Sequence, residues 1–146
     1  MKQYFKNLLK TIEKSIESID EAMFTKLVDE CEATLREGNK IVVSGLGKNV
    51  PVCDKFIGTM NSLGMAASYM NTNSAVHGDL GTVKKGDLVI VLTKSGETIE
   101  SVYLTSLLKK REVEIWLLSF RRESTLAKEI PKHLILDKAV SYTNAE

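Results

Sequence analysis

The stretch DLVIVLTKSGETIESVYLTSLLKKR, residues 87–111, decides the fold. It opens with DLVIVLT, whose LVIVL is an unbroken apolar run, as suits a strand buried on both faces. From Gly96 onward the pattern changes. GETIESVYLTSLLKKR reads as a helix, with Ile99, Val102, Tyr103, Ser106 and Leu107 on one side. Between the two lie only small and polar residues, Thr93 to Thr98. A strand that runs straight into a helix is half of a βαβ unit, which implies a parallel sheet.

The same alternation continues on both sides. KIVVSG (40–45) is a short apolar run ending in glycine and reads as a strand. PVCDKFIGTMNSLG reads as a helix with Pro51 in its first turn. MAASYM is a weaker strand, and NSAVHGDLG a short polar segment with room for one helical turn. VEIWLLSF, ESTLAKEI and HLILD follow as strand, short helix and strand, with Ser124 as the cap of that helix. Ahead of them, residues 3–36 read as helix. Phe5, Leu9, Ile12, Ile16 and Ile19 recur at spacings of three and four. Asp20 caps a second helix with a Met23, Leu27, Val28, Cys31 and Leu35 stripe, and Gly38 stops it. The expected fold is therefore α/β: a three-layer αβα sandwich around a parallel sheet of about five strands, flavodoxin-like in type. Right-handed crossovers place helices on both faces. Residues 1–37 form an N-terminal helical segment and residues 38–146 the domain proper. The N-terminal stripes have to be buried on the domain or on a partner subunit, so a homodimer or homotetramer is expected.

Bulk properties narrow the function classes. The chain has 146 residues, a net charge of +1 and 27% charged residues. No basic excess argues for nucleic acid or an anionic membrane. No apolar run is long enough to span a bilayer, and the charged N-terminus lacks the apolar stretch of a secretory signal. Cys31 and Cys53 stand in helices at no metal-ligand spacing, and there are only two histidines, so no metal site is expected. The expected location is the cytoplasm.

In open parallel sheets ligands bind beyond the carboxyl ends of the strands. The segment SGLGKN (44–49) follows a strand. Its Gly45 and Gly47 let backbone approach a ligand, and Lys48 supplies charge. It is not a nucleotide P-loop, because Val42 and Asn49 stand where glycine and Ser/Thr are required. Nor is it a dinucleotide fingerprint, since Val50 takes the place of the third glycine. A plain strand-to-helix turn with a solvated lysine is the competing reading. TKSGET (93–98) carries more information. Thr93, Ser95 and Thr98 offer three hydroxyls, Gly96 exposes backbone N–H, and the next helix points its positive end at the turn. The competing reading is a helix capped by Ser95. Glu97 stays open: a first-turn glutamate stabilises any helix start, whereas beside a phosphate it has to turn away toward the sugar. In HGDLG (77–81), His77 is a residue type easily tuned for proton transfer, although a lone histidine also occurs as a surface or structural residue. His133 reads as structural, and Arg121 with Arg122 as an exposed pair.

Taken together these segments resemble the SIS (sugar isomerase) domain, a phosphosugar-binding α/β module, in the form found in bacterial arabinose-5-phosphate isomerases. VVSGLGKN resembles the family's V-x-G-x-G-K-S-G. SAVHGDLGTVKKGDLVIVLTKSGET resembles E-A-x-H-G-D-L-G followed by S-x-S-G-E-T. STLAKEIPKHLIL resembles S-x-L-A-x-x-A-D-x-x-L. The resemblance implies Thr93, Ser95 and Thr98 as phosphate ligands, with Lys94 and Gly96 in the same turn and Ser44, Gly45 and Gly47 close by. It implies Lys48, His77 and Glu97 as candidates for catalysis, through sugar binding or proton transfer. The implied reaction is interconversion of D-arabinose 5-phosphate and D-ribulose 5-phosphate through an enediol, with no cofactor. A non-catalytic phosphosugar-binding or regulatory protein is the alternative.

Departures from the family pattern support that alternative. Asn49-Val50 replaces Ser-Gly, and Ser74-Ala75 replaces Glu-Ala, which removes an acid. Thr93 stands for a serine and keeps the hydroxyl, and Lys94 replaces a small polar residue. The family pattern continues beyond SYTNAE with a further phosphate turn, a histidine and, in many members, paired CBS domains. A truncated member without CBS domains is therefore expected.

Overall fold

The structure, a computed structural model, describes residues 1–75 and 77–136. Two helices lead, α1 (Lys2–Glu17) and α2 (Glu21–Arg36). The alternation then runs β1 (Ile41–Gly45), α3 (Val50–Ser62), β2 (Ala67–Asn71), α4 (Thr72–Ala75), β3 (Leu88–Leu92), α5 (Ile99–Leu108), β4 (Glu114–Ser119), α6 (Thr125–Glu129) and β5 (His133–Ile135). The five strands are all parallel, in the order β2-β1-β3-β4-β5. That order is of the flavodoxin type, in which the chain reverses its winding beside β1 and β3. Asp137, the last residue of the expected final strand, lies outside the described residues, as does Glu146.

Strand alternation explains the two cores. Ile41, Val43, Leu88, Ile90 and Trp116 face α2 and α3, where they meet Leu27 and Cys53. Val42, Val89, Val91 and Leu117 face the other way, toward α4, α5 and α6, and pack with Leu104, Leu108 and Leu126. Each such buried aliphatic side chain contributes about 1.5–3 kcal/mol relative to exposure. Trp116 is fully buried, and its indole N–H donates to Glu30 on α2 at 2.7 Å. Lys132 also bonds Glu30, at 2.9 Å, which ties α2 to the start of β5.

The expected face of α5 is covered only in part, at Val102 and Leu107, which pack half-buried against the core. The buried residues of the helix are Ser101, Leu104, Thr105 and Leu108, whereas Ile99 is 81% and Tyr103 53% exposed. The helix is apolar on nearly all sides, so periodicity alone does not choose the face. Leu104 and Leu108, four apart, meet the sheet. Thr105 is buried at no cost in unpaired groups because its hydroxyl donates to the Ser101 carbonyl at 2.8 Å.

A buried carboxylate clamps the amino ends of the strands. Asp87 accepts from the Lys40 and Lys84 backbone amides at 3.1 and 2.9 Å and from Lys40 Nζ at 2.7 Å. Burial pushes its pKa up, but these bonds outweigh burial and hold the carboxyl below the ordinary aspartate range.

The first helix stands apart. No residue of α1 is buried, and Phe5, Leu9, Ile12 and Ile16 are 44–64% exposed. The stripe on α2, in contrast, is covered by the sheet at Leu27 and half-covered at Met23, Cys31 and Leu35, although Val28 stays exposed. Among the described residues, no helix is long and apolar enough to cross a membrane.

Candidate functional site

At the carboxyl ends of β1, β3 and β4 lies a cleft of about 280 Å³. The turn after β1 contributes Leu46, Lys48 and Asn49. The end of β3 contributes Leu92 and the turn after it Thr93, Lys94, Ser95 and Thr98, with Ser101 from α5. Phe120 closes the side beyond β4.

The turn 93–98 is shaped by its own hydroxyls. Thr93 Oγ1 accepts from the Gly96 amide at 3.2 Å, and Ser95 Oγ accepts from the Glu97 amide at 3.2 Å. Each oxygen is thereby fixed, while its O–H proton stays available to donate. Gly96 has φ +68°, which favours glycine, and a Cβ there would overlap Ser124. Thr98, not Ser95, occupies the N-cap of α5, and its side chain makes no capping bond. Among the described residues nothing accepts from the Ile99, Glu100 or Ser101 amides. The positive end of α5 therefore faces the cleft with unused donors.

Charge reinforces this. Lys48 and Lys94 line the cleft, both exposed, and among the described residues of the lining none is acidic. Together with the hydroxyls of the 93–98 turn, this field suits an anion of the size and charge of a phosphate group.

Of the other candidates from sequence, several lie outside the lining. Ser44 is fully buried, and its hydroxyl pairs with Thr72 Oγ1 at 2.9 Å, fastening β1 to the start of α4. Gly45 is buried beneath the turn. A Cβ there would come within 2.9 Å of Asn49 Cβ and 3.2 Å of Cys53 Sγ. Gly47 has φ +55° and is exposed at the turn. Gly96 shapes its turn from behind. His77 is exposed, and its amide donates to the Ser74 carbonyl at 2.9 Å. Glu97 is also exposed and points away from the cleft. Its carboxylate takes the Thr125 hydroxyl at 2.7 Å and the Thr125 amide at 2.8 Å. Those two bonds hold its pKa below the ordinary glutamate range, with added attraction from Arg121 and Lys128. Cys53, beneath Gly45, is pushed up to about 11 by burial and by the Asp54 charge, so the thiol stays protonated at neutral pH.

Sequence reasoning missed Asn49, Ser101 and Phe120. In the sequence Asn49 counts only as the loss of a hydroxyl, yet it lines the cleft. Ser101 carried a signal in being a serine in the first turn of a largely apolar helix. Phe120 directly follows the last residue of β4.

Residues 34–144 match the SIS domain family. This chain belongs to the SIS domain family. It is similar to the arabinose 5-phosphate isomerase KdsD of Yersinia pestis, with 30% identity over 132 residues, 90% of this chain and 40% of that protein. The chain thus spans about two-fifths of the length of that curated relative. Among solved structures, an Escherichia coli CFT073 protein in complex with arabinose 5-phosphate is similar at 30% identity and a TM-score of 0.81. The match covers 92% of this chain and 70% of that one. The sugar isomerase domain of an RpiR transcription factor from Sphaerobacter thermophilus has the same fold, with a TM-score of 0.77 at 18% identity. There the match covers 96% of this chain and 77% of that domain. The SIS fold is therefore found in isomerases and in regulators.

Proposed function

We propose that the cleft binds a phosphosugar and that the chain acts as an aldose–ketose isomerase on a pentose 5-phosphate. The reaction is interconversion of D-arabinose 5-phosphate and D-ribulose 5-phosphate through an enediol. One observation carries the reading. The turn 93–98 and the start of α5 present hydroxyls, unused amides and Lys94, and the turn after β1 presents Lys48, to a cleft whose lining among the described residues holds no carboxylate. The arabinose 5-phosphate held by the similar E. coli protein supports a pentose 5-phosphate as the ligand. In this reading Thr93, Ser95 and Thr98 hold the phosphate with the amides at the start of α5. Lys94 adds charge at the rim.

Isomerisation needs a base for the proton alpha to the carbonyl and stabilisation of the enediolate oxygen. Lys48 lines the cleft across from the phosphate turn and is assigned to the sugar oxygens. His77 is the proton-transfer candidate. From its exposed position outside the lining it serves only if a second copy or a movement of residues 77–82 brings it in. The exposed stripe of α1 favours a second copy, and we take the assembly to be a homodimer or homotetramer.

The alternative, a phosphosugar-binding protein without catalysis, draws on a specific observation: among the described residues no acid lines the cleft. Proton NMR of D-arabinose 5-phosphate with the chain in D2O separates the two. The isomerase reading predicts loss of the C2 proton signal and growth of D-ribulose 5-phosphate. Binding without exchange overturns it in favour of the alternative.

A further inference from the structure

We propose that Glu97 is a positioning residue, a latch that fastens the phosphate turn to α6, rather than the base of the reaction. The inference rests on the phosphosugar reading of the cleft. The turn 94–97 is attached along its outer side to residues 119–126. Phe120 N donates to the Lys94 carbonyl at 3.3 Å, and Ser119 Oγ to the same oxygen at 3.4 Å. Leu126 N donates to the Gly96 carbonyl at 3.2 Å. Thr125 contributes its amide and its hydroxyl to the two oxygens of Glu97. Gly96 sits so close to Ser124 that no side chain fits between them. Of the first three amides of α6, the turn satisfies two, and Ser124 Oγ satisfies the third, from Ala127, at 3.2 Å.

The consequence is a division of labour along six residues. Thr93, Ser95 and Thr98 line the cleft, while Glu97 and the Gly96 carbonyl hold the turn from behind. Glu97 lies outside the lining of the cleft, held on the far side of the turn by Thr125, so its carboxylate has to leave those bonds to reach a substrate carbon in the cleft. Its bonded state, pKa lowered and outside the lining, serves geometry instead.

Two substitutions at one position separate the roles. In Glu97→Gln the amide oxygen still accepts from Thr125 N–H, and the NH2 group donates to the Thr125 hydroxyl oxygen, so the latch survives while the carboxylate is lost. In Glu97→Ala both bonds go. Calorimetric titration with D-arabinose 5-phosphate, kcat and KM, and amide hydrogen exchange are measured on the full chain. The latch predicts that Gln keeps affinity and turnover within about threefold, whereas Ala weakens affinity roughly tenfold or more. It also predicts faster exchange at the Thr125 and Leu126 amides in Ala than in wild type. Thr125→Val, which keeps the amide and loses the hydroxyl, gives an intermediate loss and stands in should Glu97→Ala not fold. Its effect combined with Glu97→Ala is less than additive. Loss of C2 proton exchange in Gln with affinity intact makes Glu97 the base and overturns the proposal. Unchanged affinity and amide exchange in Ala or Val also overturn it. If wild type itself binds no sugar phosphate, the phosphosugar reading fails, and amide exchange alone then decides whether the latch exists.

Discussion

Asn49 Nδ2 donates to the Leu92 carbonyl at 3.2 Å, so the turn after β1 is tied to the end of β3. Both residues line the cleft, and the bond sets the spacing between Lys48 on one side and the 93–98 turn on the other. The serine of the family pattern is shorter and offers a hydroxyl; here the longer amide reaches the neighbouring strand end. Asn49→Ala removes the bond, with an expected cost of about 1 kcal/mol in stability. Sugar-phosphate affinity should fall with it. Urea unfolding and calorimetric titration check the two effects, and unchanged values for both would remove the role given to Asn49.

Gly96→Ala and Gly47→Ala should behave differently although both glycines have positive φ. At Gly47 a Cβ meets nothing within 4 Å, so the cost is the backbone strain alone, about 1 kcal/mol. At Gly96 the new carbon overlaps Ser124, and the turn has to leave α6. The loss there exceeds that at Gly47 by at least about 1 kcal/mol, and phosphate binding weakens with it. Thermal unfolding of the two variants side by side gives the comparison.

Much of the scaffold was readable from local pattern. Asp20 caps α2 through the Met23 amide at 3.0 Å, and Ser124 caps α6 through Ala127, both bonds within three residues along the chain. The runs at 41–45 and 88–92 are strands because each is a short, continuous, valine- and isoleucine-rich run, too short for a buried helix and suited to a sheet covered on both faces. What stayed hidden depends on distant partners. Glu97 meets Thr125, 28 residues away, and Ser44 turns inward to Thr72, also 28 residues away. No pattern around either residue encodes that meeting. The start of α5 was hidden for another reason: Ser95 and Thr98 are both good caps, and tertiary bonds at Lys94 and Gly96 choose the later one.

Asp87 should give the chain an acid-sensitive component of stability. Its folded pKa lies below the unfolded value, so its contribution is complete at neutral pH and is lost as pH falls below 3.8 toward the lower folded value. Asp87→Asn should cost about 1–3 kcal/mol at pH 7, because the Lys40 and Lys84 amides lose their charged acceptor. The difference from wild type should shrink in acid. Urea unfolding across pH 3 to 7 measures it, and a difference that does not change with pH would contradict the assignment.

The α1 stripe predicts self-association. Light scattering should give a mass above the 16.2 kDa of one chain. Leu9→Lys or Ile12→Lys should lower that mass without unfolding the domain, because neither side chain is buried within the chain. A wild-type mass of one chain would refute the assembly.

The central claim is that the 93–98 turn holds the phosphate of a sugar. Calorimetric titration of D-arabinose 5-phosphate into wild type and Ser95→Ala tests it most directly. Binding is predicted in wild type, and a loss of about 10- to 100-fold in Ser95→Ala, the effect of one hydrogen bond to a charged group. Absence of binding in wild type, or equal affinity in the two proteins, would contradict it.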